Sequence, residues 1–359
     1  FGSSGIATVP EPWADRGRAR ADGGMNMTVP WLRCMPLGLC CGPLVSAKFR
    51  KLLRNAYECA TCAHVPKGVV FEGETAEEAA LHRQAILRSW VGAVIIFAVV
   101  FGHGLAMTGS EDGRARLTAA VEGMTPSPAR LLFHACAAGM VIRGMVAEWN
   151  ESPLDGEGNK PVICRKLGYP SYWTCQTQLM VCSVLCLSAV GEAMLALGLL
   201  PSSGVVPASL VAAPYRFSIM ATVQSVMVTL LFSTTMMGND AWLEQHVRVK
   251  ERQGIPAGWY QVLSHYTLPL AIPDLLLVRR PDLLRSLGLG LGGNLVLAVG
   301  HSFCFAGFIL FVYALTGQVQ YKIVMSQLTP LRYPLVVLGI VVMESIVVCS
   351  CYLVVEYTI

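Results

Sequence analysis

Seven apolar runs, most of them long enough to cross a bilayer, recur along this chain and leave it little choice of architecture. They cover about residues 89–109, 131–148, 172–199, 215–237, 259–278, 287–315 and 332–357. A spanning helix takes about 20 mostly apolar residues. Inside hydrocarbon the backbone must satisfy its own hydrogen bonds, which an α-helix does unaided. The run at 131–148 is short by this measure. Composition points the same way: only 14% of the residues are charged, where a soluble domain carries about 25%. The formal net charge is +4 and forms no basic cluster of the kind that grips nucleic acid. The expected fold class is all-α, an integral membrane helical bundle of about seven transmembrane helices with a polar N-terminal extension.

Residues 1–87 are the polar part. Residues 1–30, rich in Gly, Pro and Arg, have no helical period and read as an extended arm on a partner or a disordered one. Residues 44–56 are basic and amphipathic, suited to a membrane surface or another subunit. Residues 74–88 read as a helix with Thr75 as N-cap and Glu78 at the capping-box spacing; this helix is expected to run into the first span. The chain begins at Phe1, so either a targeting segment has been removed or the true start lies upstream.

Seven spans put the two ends of the bundle on opposite faces. Lys and Arg are more frequent on the face of the N-terminal region (Lys160, Arg165, Lys166, Arg248, Lys250, Arg252, Lys322) than opposite it (Arg114, Arg116, Arg130, Arg279, Arg280, Arg285). The bias places the N-terminus in the cytosol or the mitochondrial matrix. The mitochondrial inner membrane, the endoplasmic reticulum and the plasma membrane all remain open.

The stretch Trp259–Val278 (WYQVLSHYTLPLAIPDLLLV) carries two ionisable residues inside an apolar run, His265 and Asp274. Such a residue in a span is by default a functional-site hypothesis. His265 lies six residues, roughly 9 Å, below the N-terminal face. Span three begins at that face with Ser171, Tyr172, Trp173 and Thr174, and span six ends there with Thr316, Gly317 and Tyr321. A hydroxyl nucleophile and an imidazole base are the minimal apparatus for acyl transfer.

The run Tyr169-Pro-Ser-Tyr-Trp-Thr-Cys-Gln-Thr-Gln178 resembles the Y-x-T-x-W-T/N-x-x-x-Q stretch of the androgen-induced-gene family, which includes the androgen-dependent regulator of tissue factor pathway inhibitor. The run from Pro256 to His265, with Leu-Pro and Asp274 after it, resembles that family's P-x-W-x-N-H-x-x-H-T…P…E stretch; Thr316-Gly317 and Tyr321 resemble T-G-x-W-x-Y-P. The order and approximate spacing agree over about residues 130–357. The resemblance implies a six-span membrane domain at 130–359, with 88–129 an extra span and loop, and threonine-hydrolase chemistry on fatty acid esters of hydroxy fatty acids. It puts Ser171 at the catalytic Thr and His265 at the catalytic His, with Gln261, Asp274, Thr174, Gln178 and Tyr321 in support and Asp274 or Gln261 orienting the imidazole. The departures are Ser for Thr, Gln261-Val262 for N-H, Val319-Gln320-Tyr321-Lys322 for W-x-Y-P, and an acid one residue closer.

Blander roles exist for the same residues. Ser171 would cap span three, and His265 would hydrogen-bond within the bundle. His103, His134, Arg143 and Glu192 would either mark a proton or ion path or pair with partners. Cys59 and Cys62, with Cys34, Cys40 and Cys41 nearby, form one C-x-x-C pair: a half-set of zinc ligands, a disulfide or free thiols. The absence of His directly after Cys62 argues against covalent haem attachment. Gly288, Gly290, Gly292 and Gly293 lack the strand–turn–helix setting of a phosphate loop and suit close helix packing. No motif calls for a cofactor. Two functions follow: a hydrolase of lipid esters, with membrane lipids as its surroundings and substrates, or a non-catalytic accessory subunit of a large membrane complex, such as a respiratory-chain complex, joined through residues 1–87.

Overall fold

The computed structural model describes residues 76–150, 168–199, 205–237, 265–317 and 328–357. The chain divides into two compact units, Phe1–Lys51 and Leu52–Ile359; the described residues all belong to the second. Among them every regular element is helical. The amphipathic segment 44–56, the cysteines Cys34, Cys40, Cys41, Cys59 and Cys62, and Gln261 and Tyr321 lie outside the described residues.

Among the described residues six helices are long and apolar enough to span a membrane. They are α1 (Ala76–Thr108), α3 (Pro128–Asn150), α4 (Trp173–Ala196), α5 (Val205–Leu231, continued by a π-helical turn Phe232–Met237), α8 (Leu291–Thr316) and α9 (Arg332–Tyr357). A seventh, shorter apolar helix, α6, covers His265–Val278. Two further helices, α2 (Glu111–Glu122) and α7 (Pro281–Leu287), connect them. The protein is an integral membrane protein, and its bundle is the all-α one the apolar runs predict. α1 is one continuous helix through residues 76–88 into the first span, as expected. The second span is longer than its apolar run: α3 starts at Pro128, behind Ser127, whose hydroxyl accepts the Arg130 amide at 3.4 Å.

Contacts fix the direction of each crossing. Trp173 at the start of α4 bonds Gln224 in the second half of α5, so the two run antiparallel. His265 lies against Thr229 and Phe232 near the end of α5, whereas Arg279, just past α6, reaches Ser188 near the end of α4. α6 therefore crosses the bundle from the near end, where α1 starts, to the far end, where α9 finishes. It spans about 21 Å over its 14 residues, less than the hydrocarbon thickness of about 30 Å; the rest of the run, 259–264, is outside the described residues.

Two prolines explain why α6 is irregular. Pro269 offers no N–H to the carbonyl of His265 four residues back. The Thr229 hydroxyl of α5 donates to that carbonyl instead, at 3.4 Å, and Thr222 donates to Ala271 O at 3.1 Å. Carbonyls freed inside a membrane need such substitutes. The backbone passes through 3-10, α and π turns over Leu268–Val278.

α5 is the hub, packed against α1, α4, α6, α7, α8 and α9. The outer helices turn their large apolar side chains outward, among them Val94 and Phe97 on α1, Phe303 and Phe311 on α8, and Leu338 and Ile346 on α9. The polar side chains Gln178, Gln224, Ser225 and Glu344 are fully enclosed. With lipid as solvent, helix association depends on close packing and interhelical hydrogen bonds rather than on burying apolar surface. α1 and α5 meet through Gly104, where a Cβ would run into the Ser209 carbonyl oxygen and sit 2.9 Å from Ala213 Cβ. Gly104→Val is expected to push α1 off α5 and destabilise the bundle by about 1–3 kcal/mol, read as a lowered thermal unfolding midpoint in detergent. The same change at Gly102, whose Cβ meets nothing within 4 Å, is expected to leave it unmoved.

Candidate functional site

The turn before α4 carries Ser171. Gly168 adopts φ +85°, and a Cβ there would meet Ser89 Oγ at 2.7 Å. Only glycine takes this conformation freely. The tight approach lets the Tyr169 amide donate to Ser89 Oγ at 2.8 Å, while Ser89 Oγ donates to Ala85 O at 2.7 Å. A 3-10 turn over Tyr169–Ser171 follows, and α4 starts at Trp173. Ser171 is buried at 5% exposure, just ahead of the positive end of the α4 dipole. Thr174 is half-buried and Gln178, one turn further, fully buried.

His265 is also buried, its ring stacked on Phe232 at 3.8 Å between centroids and 19° between planes. Beside it Ser233 and Tyr266 share a hydrogen bond of 3.1 Å. Thr229, which touches His265, stands five residues, about 7.5 Å, nearer the near end than Gln224, the partner of Trp173. Ser171 precedes Trp173 by two residues on that same side. Counted along the helices, both residues lie toward the near end, and residues 268–270 of α6 pack on both α4 and α5.

Asp274 has a different role from the one expected of it. It lies nine residues past His265, about 13 Å along a helix, in the far half of the bundle. His134 Nε2 donates to its Oδ1 at 2.8 Å. Arg279 donates to its Oδ2 through Nε at 2.9 Å and Nη2 at 2.6 Å. Asp274 therefore orients the His134 imidazole, not that of His265. Arg279 Nη2 also donates to Ser188 Oγ at 2.8 Å, and its guanidinium lies 5.3 Å from the Tyr215 ring centroid. One turn further out, Arg130 Nε donates to Glu192 Oε1 at 2.6 Å. His134 and Glu192, two of the four residues considered for an ion path, thus each have a polar partner on another element; His103, another of the four, packs edge-on to Phe217. Outside the membrane segments, the Arg280 guanidinium bonds Asp282 at 2.6 Å and holds its carboxyl below the usual range, while Arg280 Nη1 donates to Gly123 O at 2.7 Å and ties α7 to α2.

A second network crosses the middle of the bundle. Trp173 Nε1 donates to Gln224 Oε1 at 2.6 Å, Gln224 Nε2 to Glu344 Oε1 at 2.7 Å, and Ser302 Oγ to Glu344 Oε2 at 2.6 Å. His301 Nε2 donates to Gln176 Oε1 at 2.9 Å, and Gln176 Nε2 to Pro170 O at 2.7 Å, next to Ser171. Sequence reasoning did not find Gln224, Ser302 or Glu344. The available signal was a lone carboxyl at the midpoint of the last apolar run.

No family model, curated protein or solved structure matches the chain. The likeness to the androgen-induced-gene family rests on the three sequence stretches alone.

Breaking a buried ion pair strands the remaining charge and costs about 3–5 kcal/mol. Arg279→Leu is expected to destabilise the protein by that amount, and Asp274→Asn in the same chain to restore part of it. Thermal unfolding of the two single variants and the double variant in detergent measures the coupling.

Proposed function

We propose that this protein is a membrane-embedded hydrolase of lipid esters, with Ser171 as nucleophile and His265 as general base. What supports it is that both side chains are buried and that residue counting brings both toward the near end. Ser171 Oγ would attack the ester carbonyl as His265 takes the hydroxyl proton. The negative charge on the former carbonyl oxygen would develop beside the N-terminus of α4, where the helix dipole favours it. Collapse of the tetrahedral adduct would expel the alcohol, which takes the proton from His265. Water, deprotonated by the same imidazole, would then release the fatty acid and restore the Ser171 hydroxyl. The apolar exterior suits a substrate that arrives sideways from the lipid, such as a fatty acid ester of a hydroxy fatty acid.

One observation favours the second reading, a non-catalytic subunit of a larger membrane assembly in contact through residues 1–87. The acid expected to serve His265 is committed to another imidazole at the other end of the bundle.

The test is labelling of the reconstituted full chain with a fluorophosphonate, together with hydrolysis of a medium-chain fluorogenic ester. Ser171→Ala is expected to abolish both. His265→Asn is expected to slow hydrolysis by at least about 100-fold without unfolding the protein. Labelling that persists in Ser171→Ala, or a wild-type chain inert to probe and ester, would overturn the hydrolase reading. Inertness with stable co-purifying chains would support the subunit reading.

A further inference from the structure

Three carboxyl groups are enclosed within the described bundle, and two of them have a cation. Asp274 holds Arg279 and Glu192 holds Arg130. Glu344 is 0% exposed and sits twelve residues into the 26-residue α9, about 18 Å from its start and thus near the bilayer midplane. Among the described residues no Lys, Arg or His pairs with it. From α5 it meets Gln224, beside Met220; from α8 it meets Ser302; Trp173 of α4 is reached through Gln224. The nearest titratable neighbour in sequence to these partners, His301, is turned to Gln176 instead. Among the described residues, the groups bonded to the carboxyl are a neutral amide and a neutral hydroxyl.

A carboxylate without a counter-charge is disfavoured in hydrocarbon, and it neutralises rather than remain ionised. We infer that Glu344 is a proton-binding site in the core of the membrane, distinct from Ser171 and His265, and that its carboxyl gives up and regains that proton. The proton suits the site better than a metal cation does. The one additional oxygen that could face a cation from Gln224 already accepts from Trp173, and Gln224 presents its N–H to the carboxyl. Both protonation states can be satisfied. In the ionised state Gln224 and Ser302 donate to the two oxygens. On gaining a proton, Oε2–H donates to Ser302 Oγ, and the Ser302 hydroxyl turns to a carbonyl one turn back. Ser183, Ser188, Ser345 and Ser350 already make that bond in this bundle, at 2.7 to 2.8 Å. One hydroxyl rotation accompanies one proton, and no helix has to move.

The experiment is infrared difference spectroscopy of the full chain in lipid, in H2O and in D2O. At neutral pH the wild type is expected to show the C=O band of a protonated carboxylic acid. Glu344→Gln, which keeps the size and the acceptor oxygen, is expected to remove it. Ser302→Ala is expected to shift the band without removing it, and this assigns the band even if Glu344→Gln does not fold. Transfer to D2O is expected to shift it within the time that the peptide amides at the helix ends exchange. A spectrum without any protonated-acid band would overturn the inference. So would a band that stays unshifted in D2O after those amides have exchanged, since that acid would be a fixed strut between α5, α8 and α9.

Discussion

Arg279 is the group around which the far end of the bundle closes. It binds Asp274 of α6 with two nitrogens, reaches Ser188 on α4 and lies over Tyr215 on α5, while Asp274 extends the chain of contacts to His134 on α3. A planar guanidinium can do this because its donors form a rigid fork that is charged at any pH. Taking these ions out of water costs several kcal/mol each, so the pairing contributes little net stability. Its effect is on register. A slip of α6 by one residue would turn Asp274 away from both partners and leave three charged or polar groups stranded in lipid.

α6 needs that fixing more than the other helices do. With Pro269 and Pro273 in a stretch of fourteen residues it lacks the full set of backbone bonds that holds an ordinary span together. Thr229 of α5 supplies the donor that Pro269 cannot, and Thr222 adds a second bond to Ala271 O, which already accepts the Asp274 amide. The side of α5 that faces α6 therefore carries hydroxyls where a lipid-facing helix would carry Leu or Ile. Gln224, between those two threonines in sequence, turns toward α4, α8 and α9 instead. The central helix holds its neighbours by hydrogen bonds on more than one side, and that explains why the bundle is polar within and apolar without.

The six long spans and the shorter α6 were legible because each is a one-dimensional property: a run of apolar residues with polar ends. Depth along a span was legible too, since residues can be counted from a face. Asp274 shows where counting stops. It shares a helix with His265, so sequence proximity suggested a pair, but nine residues put it in the other half of the membrane. His134 lies six residues in from the far start of α3, and Asp274 five before Arg279 at that end. Their matching depth was countable; that α3 and α6 are neighbours was not. Glu344 was hidden for the same reason. Its partners come from α5 and α8, whose sequences show only one Gln and one Ser among many.

The two networks separate by charge as well as by place. The far end pairs its two buried carboxylates with arginines, Glu192 with Arg130 and Asp274 with Arg279. The middle and near end are built from neutral donors and acceptors: Trp173, Gln224, Ser302, Gln176 and His301. Gln176 bonds the carbonyl of Pro170, the residue before Ser171, so a change at His301 reaches the turn that holds the hydroxyl through one side chain. Trp173, two residues past Ser171, reaches Glu344 through Gln224 in the same way. Were Glu344 to take up a proton, the Gln224 N–H would face a weaker acceptor, and the Trp173 indole N–H, which donates to the same amide, would be the next group to respond.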